Sequence, residues 1–233
     1  MKLEIEAKKE RETTREYALR ILSTNILRLQ LVPGTALSEQ EIAGELHVSR
    51  TPVREAFIHL AEESLLKVLP QKGTYVARIN LEHVQESLFL RAKMEHAVME
   101  LACTEDFPEE TLYELRENIR RQRLCLAQER EDYTGFFELD GFFHGMIYRA
   151  CSKGRIWKMI VQNSQNYNRV RMLSLSIGSF EMAKLIQQHE EIVSAIAKHD
   201  WEVGAVVIDQ HIRKVIPDLE ALEQQYPDYF EQV

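Results

Sequence analysis

The chain of 233 residues has little cysteine, no long apolar run and no internal repeat, and each shortage excludes a class. The three cysteines, Cys103, Cys125 and Cys151, are widely spaced on helical patterns, which argues against a disulfide framework or a zinc knuckle and for reduced structural thiols. No stretch approaches the roughly 18 apolar residues of a membrane span. The N-terminal MKLEIEAKKERE alternates acid and base around isolated apolar residues, unlike a signal peptide or anchor, so a cytoplasmic address is expected. There is no phosphate-cradling glycine loop and no well-supported nucleophile motif. Strand alternation is absent beyond residue 79. With 45% hydrophobic residues the chain can bury two modest cores, so one or two domains are expected.

Positive charge is also scarce: the net charge is −8. It is unevenly spread, because residues 1–80 carry 12 Lys and Arg against 11 Asp and Glu, whereas the remainder carries 17 against 26. Nucleic-acid binding by the first part would therefore depend on a local basic face. The acidic remainder would weaken non-specific adhesion to phosphate, which suits a specific binder better than a DNA-coating protein.

Such a face is present between Leu37 and Ile79. Ser38 and Glu41 have capping-box spacing at the start of a helix that turns Ile42 and Leu46 inward. After His47 and Val48, Ser49 can cap a second helix whose inward stripe is Val53, Phe57 and Leu60, leaving Arg50, Thr51 and Arg54 near its N-terminus on the opposite side. Leu65 to Leu69 and Thr74 to Ile79 read as strands joined through Pro70-Gln71-Lys72-Gly73, a turn with a cation at its tip. Two capped helices and a Gly-tipped hairpin make a winged helix-turn-helix. Its second helix would enter a major groove, where arginines hold guanine edges or phosphates.

The run Ser49-Arg50-Thr51-Pro52-Val53-Arg54-Glu55-Ala56, preceded by Pro33-Gly34 and Leu37-Ser38-Glu39, resembles the GntR family of bacterial transcription regulators as far as the wing at Gly73. The resemblance implies DNA contacts from Gln40, Ser49, Arg50, Thr51, Arg54, Lys72 and Gly73. Gln40 departs from the Arg that many members carry at that place.

Residues 1–13 read as a disordered arm, 14–79 as the winged domain with a first helix from Glu12 to Leu31, and 80–225 as an all-α domain. Six helical patterns follow the wing: Leu81 to Thr104, Pro108 to Arg130, Asp132 to Cys151, Arg155 to Leu175, Phe180 to His199 and Trp201 to Gln224. Short links between them favour a six-helix bundle.

Within the bundle, Asp140 and His144 lie on the mostly apolar face of Phe136, Phe143, Ile147 and Cys151. An unpaired carboxylate there needs a partner or a metal. His189 sits among Leu185, Ile192, Val193 and Ile196, and His211 falls in line with Gly204, Val207, Ile208 and Val215. Each is 11 residues from Asp200, a good N-cap at the link between the last two patterns, so an antiparallel hairpin sets them at equal height. One Asp and three His converging from three helices make a plausible cation site. Gly141 and Gly145 flank it at a helix-propensity cost of roughly 1 kcal/mol each. Gly154 would suit a helix C-terminus.

Phe137-Glu138-Leu139-Asp140-Gly141-Phe142-Phe143-His144, then His189-Glu190-Glu191-Ile192-Val193-Ser194-Ala195-Ile196 and His211, resemble the FCD effector-binding domain of the FadR branch of GntR regulators. Six bundle helices suggest the VanR-like subgroup. The resemblance implies that Asp140, His144, His189 and His211 hold a divalent metal (Zn, Ni or Mn) and that a small carboxylate or sugar acid completes its coordination. It also implies a homodimeric repressor reading a double-stranded operator. Arg91, one turn before Glu95, together with Asn166, Arg169 and Arg171, are candidate effector contacts, since an Arg in the cavity recognises a carboxylate bidentately. Two other classes remain open on the residues alone: a metal-dependent enzyme with an appended winged domain, and an architectural DNA-binding protein whose polar cluster is structural.

Overall fold

Capping decides where the first elements begin. In the computed structural model, which describes residues 3–128, 132–176, 182–213 and 219–232, Glu16 N donates to Thr13 Oγ1 at 3.2 Å and Thr13 N donates to Glu16 Oε2 at 2.8 Å. This reciprocal box starts α1 (Thr14–Leu27), two residues later than the expected Glu12. Beyond it Leu29 takes a left-handed φ of 58°, which ends the helix short of Leu31.

From residue 3 onward the arm makes specific contacts with α1. Leu3 is buried in the same apolar cluster as Ile21, Leu22 and Ile26 of α1. Glu4 N donates to Asn25 Oδ1 at 2.8 Å and Asn25 Nδ2 donates back to Glu4 O at 2.9 Å. Arg20 pairs with Glu12 at 2.7 Å and Glu6 at 2.9 Å. The alternation of acid and base, read from sequence as a solvated tail, supplies partners for α1, and Leu3 anchors it.

The winged motif forms as expected. Ser38 Oγ accepts from Glu41 N at the start of α2 (Glu39–Glu45), and α3 (Arg50–Glu62) buries Val53, Ala56, Phe57 and Leu60. Between them His47 turns the chain at φ 54°. Strands β1 (Ala36–Leu37), β2 (Leu66–Leu69) and β3 (Gly73–Val76) form an antiparallel sheet in the order β1-β3-β2, with Leu66 opposite Val76 and Leu69 opposite Gly73. The wing tip relies on Gly73 at φ 114°, a conformation with little steric cost only for glycine. Strand β1 was not expected from the sequence; two residues are too few for a visible alternation.

The chain divides into two compact units. The first comprises Met1–Val84, Gln165–Val170 and Ala221–Val233; the second comprises Gln85–Ser164 and Arg171–Glu220. The first therefore exceeds the winged domain drawn from sequence. Its C-terminal tail returns to the segment after the wing: Ile79 N donates to Tyr229 O at 2.8 Å, Glu231 N donates to Ile79 O at 2.9 Å, and Phe230 is buried.

The helices after the wing are α4 (Leu81–Thr104), α5 (Glu109–Leu126), α6 (Tyr133–Ala150), α7 (Gly154–Asn163), α8 (Gln165–Ser176), α9 (Met182–Ala197), α10 (Trp201–Arg213) and α11 (Leu219–Gln225). The fourth expected helix is two, because the chain breaks at Ser164, whose Oγ donates to Ile160 O at 2.7 Å. The expected run through residues 214–218 and the end of the second pattern near Arg130 lie outside the described residues. Helices α9 and α10 meet at His199, φ 54°, and Asp200 Oδ1 accepts from Val203 N at 3.1 Å, as expected of an N-cap.

Candidate DNA-reading face and buried histidine cluster

The first unit displays the residues chosen for DNA contact. Gln40, Ser49, Arg50, Thr51, Arg54, Lys72 and Gly73 are all exposed. Ser49 has the extended backbone of an N-cap but its side chain makes no capping bond. Arg50 reaches Glu39 across solvent at 3.4 Å, a long and exposed pair that costs little to exchange for a phosphate or a base edge.

In the second unit, α6, α9 and α10 bring Asp140, His144, His189 and His211 together, all buried, with one candidate ligand atom from each lying within 4.8 Å of the others. His144 Nε2 and His211 Nε2 are 3.2 Å apart. His189 Nε2 stands 3.5 Å from Asp140 Oδ1, and neither of these buried atoms has a hydrogen-bond partner among the described residues. The outward nitrogens are all engaged. His144 Nδ1 lies 2.6 Å from Glu95 Oε2, His189 Nδ1 lies 2.7 Å from Gln122 Oε1, and His211 Nδ1 lies 3.2 Å from Gln188 Oε1. The tautomer in which a ring donates Nδ1–H to its oxygen is the one that leaves its Nε2 lone pair facing inward.

Electrostatics favour an ionised Asp140 and neutral His189 and His211. Burial would raise the Asp140 carboxyl, but the Arg171 guanidinium 2.7 Å from Oδ2 outweighs it and, with the neighbouring imidazoles, holds the group well below the usual range. Burial lowers His189, and burial together with its imidazole neighbours holds His211 well below its ordinary value. Burial likewise opposes ionisation of Glu95, yet Arg91 and His144 bring it down to about 2.

Of the candidate effector contacts, Arg171 donates to Asp140 of the cluster at 2.7 Å. Arg91 donates from Nε to Glu95 at 2.7 Å and its guanidinium lies over the Trp157 ring at 5.8 Å. Arg169 and Asn166 belong to the first unit instead. Arg169 donates to Ala77 O and to Asn166 Oδ1, each at 2.6 Å, and Asn166 Oδ1 also accepts from Asn80 N at 3.0 Å. The break at Ser164 resets the helical phase, so a single-helix reading could not sort these side chains.

The two glycines beside the ligands differ. A Cβ on Gly145 would sit 2.8 Å from Trp157 Nε1, so glycine admits the indole that stacks on His144 at 5.9 Å; at Gly141 a Cβ would meet nothing within 4 Å. Gln122, Asn118, Gln188 and Trp157 escaped the sequence reading. The available signal was Asn118 and Gln122, polar residues one turn apart beside the apolar stripe of Leu112, Leu115 and Ile119. Cys103, Cys125 and Cys151 are free thiols. Among the described residues no helix is long and apolar enough to cross a membrane.

Comparison with known proteins agrees with this two-part arrangement. Residues 14–76 match the family described as bacterial regulatory proteins, gntR family, and residues 86–214 match the FCD domain. The chain is 35% identical over 212 residues to the HTH-type transcriptional repressor RspR of Escherichia coli K12, with 91% of each chain covered. It is 34% identical over 205 residues to an HTH-type transcriptional regulator of Streptomyces ambofaciens, covering 88% of this chain and 84% of that one. In fold it is similar to E. coli McbR/YncC, with a TM-score of 0.74 at 22% identity over 92% of this chain and 99% of the other. An exposed arginine-bearing helix beside a wing, followed by a helical domain of this type, therefore has one reading: the chain belongs to the GntR family, as a DNA-binding transcription regulator with an FCD domain.

Proposed function

We propose that Asp140, His144, His189 and His211 hold a divalent cation, Zn, Ni or Mn, and that a small carboxylate or sugar acid joining it modulates operator binding by a homodimer. The observation that carries this reading is the convergence of one atom from each of three imidazoles and a carboxylate within 4.8 Å of one another in a buried space, with Asp140 Oδ1 and His189 Nε2 left without hydrogen-bond partners among the described residues. Such atoms cost free energy unless a cation satisfies them. Nitrogen and oxygen donors of this kind suit borderline divalent metals, and the Glu95, Gln122 and Gln188 oxygens beside each Nδ1 orient the rings for ligation. When bound, the cation would supply positive charge and open positions for an anionic ligand. Arg171, which donates to Asp140 Oδ2 at 2.7 Å, is the candidate arginine for that ligand. Arg50, Arg54 and Lys72 would grip DNA, with Gln40, Ser49, Thr51 and Gly73 completing the face.

Repression relieved by effector is the favoured logic, in keeping with the repressor name carried by the E. coli relative. The effector acts only through different affinity for the DNA-competent and DNA-incompetent arrangements. Native mass spectrometry of protein purified without chelator tests the reading in one experiment. A dimer mass with one metal per chain, and a carboxylate that leaves with it, is expected; a metal-free monomer that takes up no added Zn, Ni or Mn overturns it.

A further inference from the structure

We infer that Gln122, aimed by Asn118, is a positioning residue that fixes the His189 ring so that its Nε2 lone pair, and not an N–H, faces the cluster. This deepens the cation reading above and rests on it. Helix α5 supplies no ligand, yet it carries a hydrogen-bond bracket between α6 and α9, two helices that do. The bracket starts from a group whose polarity is fixed: Leu139 O, a backbone carbonyl, can only accept. Asn118 Nδ2 donates to it at 3.1 Å, which turns Asn118 Oδ1 the other way. Gln122 Nε2 donates to that oxygen at 2.7 Å, which in turn presents Gln122 Oε1 to His189 Nδ1 at 2.7 Å.

Flipping either amide would set donor against donor and acceptor against acceptor in a buried space. The only arrangement that satisfies the whole chain places the proton on His189 Nδ1. Asn118 and Gln122 are one turn apart on the same face of α5, and both are buried. The bracket begins at the peptide next to Asp140 and ends at the ring whose Nε2 lies 3.5 Å from Asp140 Oδ1. It therefore holds tautomer and spacing together. Phe143 packs on the same ring at 4.2 Å between centroids, which limits tilting.

The test is made on the full chain with Gln122→Met, close to glutamine in length, and with Asn118→Leu/Gln122→Met, which removes both bracket amides so that neither is left unpaired in the core. Long-range proton–nitrogen correlation on chelator-treated protein reads each tautomer, and competition against a zinc-binding dye reads affinity. Wild type should show His189 protonated at Nδ1. Both variants should lose that preference and bind Zn about 10- to 100-fold more weakly, while His144 and His211, held by Glu95 and Gln188, keep theirs. Should Gln122→Met fail to fold, the double variant carries the test.

A purely structural Gln122 would lower the melting temperature by the same amount with and without metal and leave Zn affinity and the His189 tautomer unchanged, which overturns the inference. Failure of the cation reading looks different: wild type itself binds no metal, while the tautomer of the metal-free protein still reports whether the bracket works.

Discussion

Removing the proposed cation should destabilise the helical domain by an amount that the cluster itself sets. Without it, Asp140 Oδ1 and His189 Nε2 remain buried and unpartnered. Each such group costs about 1–3 kcal/mol, so about 2–6 kcal/mol is expected. Linkage gives the same scale independently: a site filled at a hundredfold excess over its dissociation constant contributes about 2.7 kcal/mol. In a chain of this size each kcal/mol moves the melting temperature by about 2–4 °C, so chelation should lower it by about 4–24 °C, the linkage figure alone giving about 5–11 °C. His189→Ala should abolish stoichiometric metal and lower the melting temperature further, since it also removes the ring packed on Phe143 and its bond to Gln122; a large-to-small change of that kind costs about 2–5 kcal/mol. The decisive quantity is the difference of differences: chelator shifts wild type and leaves His189→Ala where it was. Differential scanning calorimetry with and without chelator, paired with elemental analysis, measures it. A wild type free of metal, unable to bind added Zn, Ni or Mn, and indifferent to chelator would leave a buried hydrogen-bond cluster as the account of these four residues.

On the DNA-reading face, Arg50→Ala and Arg54→Ala should each cost about 1–3 kcal/mol of specific operator binding with folding nearly unchanged; equal affinity at equal salt would remove that residue from the recognition helix. In chelated protein the depressed His189 and His211 make stability pH-dependent in one direction. They are bound neutral in the fold, so their contribution is intact above the unfolded-chain value near 6.5 and is lost as pH falls below it, when the unfolded chain takes up protons that the fold refuses. A melting temperature that stays flat or rises from neutral to mildly acidic pH would contradict those shifts. Gly145→Ala should cost about 1–3 kcal/mol by displacing the Trp157 indole, less about 1 kcal/mol gained in helix propensity. Trp157 fluorescence in a Trp201→Phe background reports the displacement, and an unchanged spectrum would show that the ring is not confined there.

The winged domain was legible because its signals are local: cap, stripe, turn and glycine fall within a few residues of the contacts they create. The buried Asp–His cluster was legible for a related reason. A polar residue on an apolar helical stripe stands out, and Asp140, His144, His189 and His211 each did so on its own helix. The sorting of the arginines was not legible. Arg169 and Arg171 are two residues apart, and a continuous helix from Arg155 to Leu175 gives no way to know that one reaches Ala77 O while the other reaches Asp140. Their destinations depend on the break at Ser164 and on partners 92 and 31 residues away in sequence. The arm's contacts were hidden in the same way, since its partners Arg20, Asn25 and Arg28 are remote from Glu4 and Glu6.

Helix α5 shows what this limit means for function. Its Asn118 and Gln122 supply no ligand and carry no charge, and although periodicity sets them beside the apolar stripe of α5, it does not say which groups they meet. Yet the three imidazoles are useful to a cation only if each presents a lone pair, and a neutral imidazole has two tautomers of which one does not. The choice is made outside the cluster, by Glu95, Gln122 and Gln188 on Nδ1. Ligand identity is thus written in the residues that touch the centre, and ligand readiness in residues one hydrogen bond further out. The first can be read from one helix at a time; the second requires knowing which helices face each other, and that is information only the packed bundle holds.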